Sequence, residues 1–212
     1  ATGRNLERAC EKLQWPNLSY CEDVSVPAGP AQADMLKRRI DRNPGDSLAY
    51  VALATLALRP GALAAGEEDA VLAAAVRVAP NDVNVLRLQA DRLIRAEQWD
   101  AAAPALVKLV RDHEDPGASK VLAGMMGQGL ASKAIQAQMS RDGHWFSVIV
   151  GQCLQPKCPL WQLMVFVPRA LELGILTPEL SARLISGLRE LGAWTDAHAL
   201  WTRVWGRPLQ LV

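Results

Sequence analysis

The chain has 212 residues, of which 50% are hydrophobic, and its 23 basic and 22 acidic side chains give a formal net charge of +1. Interspersed charges of this kind argue against nucleic-acid binding, which usually requires a basic face. No apolar run approaches the roughly 20 residues needed to span a bilayer. A chain of this length can bury a substantial core without a cofactor. We therefore expect an all-helical globular protein that neither binds nucleic acid nor inserts into a membrane.

Residues 1–29 contain two of the four cysteines, and we expect this segment to pack on the helices that follow. From residue 30 onward, apolar residues recur at the 3.6-residue period of a helix. The segment Asn43-Pro44-Gly45-Asp46 is typical of a helix start and separates a first helix from a helical pair at residues 47–80. The stripes of these helices are Ala33, Leu36 and Ile40, then Tyr50, Leu53, Ala54 and Ala57, then Val71, Leu72, Ala75 and Val76.

Residues 83–116 carry the clearest pattern, two helical stripes separated by a turn at Glu97-Gln98-Trp99-Asp100. Small residues where the helices cross allow their axes to approach to about 8 to 10 Å, and large residues fill the wider gaps. One such pair cannot bury its own apolar face, so neighbouring pairs must stack on it. The stripes are Leu86, Ala90 and Leu93 in the first helix and Ala102, Leu106, Leu109 and Val110 in the second.

The pattern weakens after residue 117, because Gly124, Gly127 and Gly129 each cost a helix up to about 1 kcal/mol relative to alanine. Between residues 140 and 158 it lapses, and we interpret this segment as an irregular insertion. Its apolar run at residues 144–150 is too short to distinguish a buried helix from a strand. Pro168, farther on, should end one helix or begin the next, because it lacks a backbone donor.

A last helical pair is predicted from about Pro178 to residue 206, and it is rich in tryptophan. Trp201 and Trp205 are four residues apart and share a helix face. Together with Trp194 they form either an anchor surface for a partner or the closure of the open end of the helical array. A third interpretation is that they pack on a further C-terminal domain, since residues 207–212 are mostly apolar. The stripe of this pair is Leu184, Leu188, Gly192, Trp194, Ala197, Trp201 and Val204.

The 34 residues at 83–116 resemble a tetratricopeptide repeat, in which large, small, large and alanine residues recur at set positions before a closing proline. The segments at 47–80 and 178–206 match the same template less closely. The resemblance implies an all-α solenoid of antiparallel helix hairpins over residues 30–139, continued by C-terminal helices at 159–212. The residues that carry it are Leu86, Ala90, Leu93, Trp99, Asp100, Ala102, Leu106 and Pro116.

The resemblance also implies a concave groove, lined by the first helix of each pair, that binds an extended or helical peptide. Arg87 and Arg95 could then hold a carboxylate through bidentate contacts, and Ile94 could form the floor of an apolar pocket. The family's groove positions correspond to Val51, Thr55, Arg59, Arg87, Asp91, Ile94 and Arg95 in this chain.

The cysteines fall in two local pairs, Cys10 with Cys21 and Cys153 with Cys158, an arrangement that favours disulfides. Loop-closure entropy gives such bonds about 3 and about 2 kcal/mol of stabilisation. The chain also begins at Ala1 without a methionine, as a processed secretory protein or a trimmed chain does. These observations favour the bacterial periplasm or secretion. The alternative is a cytosolic protein with four unpaired, buried cysteines.

Motifs for catalysis and cofactor binding are missing from the sequence. It contains no nucleophile elbow, phosphate-binding glycine loop or paired metalloprotease histidines. Cys153 and Cys158 with His144 could supply three zinc ligands, but four intervening residues lie at the edge of the usual spacing and no second pair follows. We expect no metal, no cofactor and no enzymatic activity.

The predicted function is therefore a protein-interaction scaffold or adaptor of the bacterial envelope that binds a protein or peptide partner. Polysaccharide export is one setting for such a scaffold, by analogy of fold alone. The alternative is a non-catalytic accessory domain of a larger carbohydrate-active or envelope enzyme.

Overall fold

The computed structural model describes residues 29–57, 61–64, 66–141, 143–154 and 160–206. Helix accounts for 76% of these residues and no strand occurs among them, which confirms the all-helical prediction. A 3-10 helix, Leu160–Val165, precedes the ninth α-helix. The α-helices are α1 (Pro30–Arg42), α2 (Ser47–Leu56), α3 (Glu67–Val78), α4 (Val83–Arg95), α5 (Trp99–His113), α6 (Pro116–Gly127), α7 (Ser132–Ala137), α8 (His144–Cys153), α9 (Val167–Glu172), α10 (Pro178–Glu190) and α11 (Trp194–Trp205).

The chain divides into two compact units, Ala1–Leu88 and Gln89–Val212. In the first unit α1 packs on α2 and α2 packs on α3. Leu36 of α1 and Leu53 of α2 belong to one buried cluster, whereas Ala54 of α2, Ala75 of α3 and Val85 of α4 form another. The helix α2 therefore contributes adjacent residues to both clusters. Burial therefore confirms part of the predicted stripes, at Ala33, Leu36, Leu53, Ala54 and Ala75, whereas the other stripe residues are half-buried.

Polar contacts join α1, α2 and α3 at their ends. Asp46 caps the N-terminus of α2, where its Oδ1 accepts a hydrogen bond from the Ala49 backbone N–H over 3.1 Å and its Oδ2 accepts one from Arg39 Nε. Lys37 of α1 donates to Glu67 in the first turn of α3 over 2.7 Å. Burial raises the pKa of Asp46, but the hydrogen bonds from Arg39 and Ala49 outweigh burial and hold the pKa below its ordinary value.

The core of the second unit is built around α5, which packs on α6, α7 and α8. The apolar run at residues 144–150, which the sequence could not assign to a helix or a strand, forms most of α8. Trp145 and Phe146 of α8 are both fully buried, and their rings meet edge to face with centroids 6.0 Å apart. The segment predicted to be an irregular insertion therefore supplies a core helix of this unit.

Glycine and proline shape two other parts of the second unit. Gly143, immediately before α8, lies so close to Ile175 that an added Cβ would stand 2.9 Å from the Ile175 Cβ. Pro168 lies in the first turn of α9, where its missing N–H needs no partner. The prediction that Pro168 marks a helix boundary is confirmed.

The same turn ends two helices that were predicted to begin hairpins. At the end of α4, the Gln98 N–H donates to the Leu93 carbonyl over 2.9 Å, and at the end of α10 the Ala193 N–H donates to the Leu188 carbonyl over 2.8 Å. Each bond spans five residues, as in the Schellman motif. The residue inside each turn, Glu97 or Gly192, has a left-handed backbone. The same turn also ends α6 at Gly129 and α9 at Gly174, so it is a common helix ending and not a mark of the predicted hairpins.

Candidate interaction surfaces

The first candidate surface is on α4 and comprises Arg87, Asp91 and Arg95, which we call the α4 face. All three residues are exposed, whereas Leu86 and Ala90 of the same helix are buried. Arg95 Nη2 and Asp91 Oδ2 are 2.9 Å apart and form an ion pair between residues one helical turn apart. The spacing of four residues therefore brings the Asp91 carboxylate to Arg95.

This ion pair orients side chains more than it stabilises the fold. The Arg95 side chain is 77% exposed and that of Asp91 is 50% exposed. Exposed pairs at this spacing contribute only about 0.3 to 0.5 kcal/mol. A guanidinium carries five N–H donors in a rigid fork, so a single contact with Asp91 leaves Arg95 able to bind a further carboxylate.

The remaining predicted groove residues have mixed environments. Val51 is half-buried and packs against the cluster of Ala54, Ala75 and Val85, so part of its surface already belongs to the core. Thr55 is exposed, and its Oγ1 donates to the Val51 carbonyl over 2.8 Å within α2.

The predicted groove draws on both compact units. Val51, Thr55 and Arg87 belong to the first unit, whereas Asp91, Ile94 and Arg95 belong to the second, where Ile94 is half-buried. Arg59 lies outside the described residues. A single groove formed by all seven positions stays a prediction.

The second candidate surface is at the turn between α10 and α11 and comprises Leu191 and Trp194, which we call the α10–α11 surface. These side chains are 54% and 60% exposed, high values for large apolar residues. The Arg189 guanidinium lies 5.5 Å from the centroid of the Trp194 ring, a cation–π arrangement. Sequence analysis identified Trp194 but missed Leu191, which lies off the buried stripe of α10.

The two other tryptophans of α11 are in a different environment. Trp201 and Trp205 are half-buried and stack on each other, with ring centroids 4.4 Å apart and planes inclined by 29°. This stack confirms that they share a helix face. The Trp201 Nε1 is buried and has no acceptor among the described residues. The stack therefore contributes to packing, and Trp194 presents more surface to a partner.

Three of the four cysteines, Cys10, Cys21 and Cys158, lie outside the described residues, so both disulfides stay predictions. Cys153 at the end of α8 is buried, and its Sγ lies 4.0 Å from the Ala123 carbonyl oxygen of α6. His144 begins the same helix, nine residues earlier, so the two backbones are about 13 Å apart along the axis. That separation does not suit ligands of one zinc ion, which each lie about 2 Å from the metal.

The described parts of the chain contain no group of three or more His, Cys, Asp or Glu residues that could hold a metal ion. Within the same residues, no helix has both the length and the apolar character required to cross a membrane.

Comparison of the chain with protein-family models, with curated proteins and with solved structures finds no match. The resemblance to tetratricopeptide repeats therefore depends on the residue pattern of the sequence alone.

Proposed function

We propose that this protein is a non-catalytic interaction module of the bacterial envelope, periplasmic or secreted and similar to tetratricopeptide repeats, that binds a protein or peptide partner through the α4 face. The observation that carries the proposal is the exposed Asp91–Arg95 pair on a helix whose opposite stripe is buried. Burial of Leu86 and Ala90 leaves the charged side chains on the exposed side of the helix.

The charges of the α4 face favour an acidic or carboxylate-bearing partner segment. Arg87 and Arg95 supply two cations against the single anion of Asp91. Arg95 is already held by Asp91, so a partner that binds it loses less side-chain entropy than it would on a free arginine. A partner carboxylate can then form charge-assisted hydrogen bonds with the remaining donors of the guanidinium.

Charge reversal tests this proposal directly. In a capture experiment from solubilised bacterial envelope, with quantitative mass spectrometry, Arg87→Glu combined with Arg95→Glu should weaken partner recovery by at least about 2 kcal/mol, or about 30-fold. The free energy of unfolding should fall by no more than about 1 to 2 kcal/mol, because the side chains are exposed and the cost comes from the lost Asp91–Arg95 pair and from like charges four residues apart.

Arg38→Glu combined with Arg42→Glu is the matched control. These two arginines are also exposed and four residues apart, on α1. The control carries the same change in net charge, so an equal loss in both variants would indicate a general electrostatic effect. Unaltered recovery by a folded α4 variant would exclude the α4 face as the binding site.

The second candidate function is that of an accessory domain that docks on a catalytic or sugar-binding neighbour. The exposure of Leu191 and Trp194 favours it, because exposed tryptophans often anchor protein interfaces. An array that orients a neighbouring domain requires such an apolar anchor. Polysaccharide export, as the setting of either function, depends on fold analogy alone.

A surface variant separates the second candidate from the first. If the partner docks there, Leu191→Ser combined with Trp194→Ala should weaken capture. The expected loss of binding free energy is at least about 2 kcal/mol, the scale of an interface hot spot. Trp161→Ala is the matched control, because Trp161 on the 3-10 helix is 53% exposed. Normal capture by the folded variant would exclude the α10–α11 surface, and loss in this variant alone would favour the accessory role.

A further inference from the structure

We draw no further inference here: the strongest candidate outside the surfaces already described, the exposed side chains of Trp161 and Val165 on the 3-10 helix Leu160–Val165, carries nothing because nothing in the structure shows what covers them.

Discussion

Glu97 and Gly192 occupy the same position in two equivalent turns, yet only one of them is a glycine. Their φ angles are 57° and 73°, in the left-handed region. A residue with a side chain loses about 1 to 2 kcal/mol of stability in that region. Glycine avoids this cost, but its greater freedom in the unfolded chain offsets part of the gain. The two positions should therefore respond in opposite directions to exchange of the residue type.

We predict that Glu97→Gly raises the free energy of unfolding by up to about 1 kcal/mol, whereas Gly192→Ala lowers it by about the same amount. No atom lies within 4 Å of a Cβ built at Gly192, so the stability lost in Gly192→Ala would come from backbone strain and not from a steric clash. Urea denaturation measures both changes. Glu97→Ala is the control, because it removes the charge and keeps the left-handed strain. A destabilised Glu97→Gly protein would contradict the prediction.

At this scale the periodicity of the sequence identifies many buried residues, but it fails at Trp194, which lies on a predicted stripe and is 60% exposed. Leu86, Ala90 and Leu106 lie on predicted stripes and all are buried. Leu191, one residue before a left-handed glycine, follows no stripe and is exposed. A hydrophobic period reports which side of a helix faces the core, but it does not identify the apolar side chains that no neighbouring element covers.

Among the helices, α8 shows the limit of pattern analysis most clearly. Its apolar run contains only two polar residues, His144 and Ser147, too few to mark a polar face, because α8 packs on both α5 and α6. Without a polar face, a run of this length fits a buried strand as well as a buried helix. Pro168 was predictable from the sequence, since its effect on the backbone is local and does not depend on neighbouring elements.

The start of α2 gives the prediction that belongs to the helix scale. Asp46 caps this helix and also accepts a hydrogen bond from Arg39. Asp46→Ala removes both contacts and should lower the free energy of unfolding by about 1 to 2 kcal/mol. Asp46→Asn keeps an oxygen for the Ala49 N–H but loses the charge and places an NH2 donor where Oδ2 accepts from Arg39. Because the cap remains, its cost should be smaller than that of Asp46→Ala. Chemical denaturation at neutral pH should rank the two variants in this order.

The pH dependence distinguishes the charge from the cap. The pKa of Asp46 is lower in the folded protein than its ordinary value of about 3.9, so the ionised carboxylate contributes stability above that pH and loses it as the pH falls through the folded pKa. The stability difference between wild type and Asp46→Asn should therefore shrink as the pH is lowered from about 5. A difference that stays constant over this range would contradict a role for the Asp46 charge.

For the whole molecule, the sequence predicted helix pairs but not the division into units. The boundary falls within α4, inside the segment that matches the repeat template best. A repeat pattern describes contacts between neighbours in the chain, whereas compact units depend on contacts between distant segments. The groove also stays a prediction. Its described positions lie on α2 and α4, and the period of either helix does not fix how the two helices are arranged.

The oxidation state of the four cysteines bears on the proposed location of the whole protein. Thiol reactivity in the folded protein is a poor test, because Cys153 is only 1% exposed and would react slowly even when reduced. The thiols must therefore be alkylated in denaturant and without reductant. The sample should come from a bacterial host that exports the protein to its periplasm, where disulfides persist.

We predict that no cysteine of this sample is alkylated before reduction and that all four are alkylated afterwards, because Cys10–Cys21 and Cys153–Cys158 are disulfides. Intact mass counts the alkyl groups, and peptide mapping of the unreduced protein assigns the pairs. Reduction should also lower the free energy of unfolding by about 3 and about 2 kcal/mol for the two loops. If only two cysteines were alkylated before reduction, one of the two bonds would remain, and peptide mapping would identify it. Alkylation of all four before reduction would contradict both bonds and would favour the cytosolic alternative over the periplasmic or secreted location.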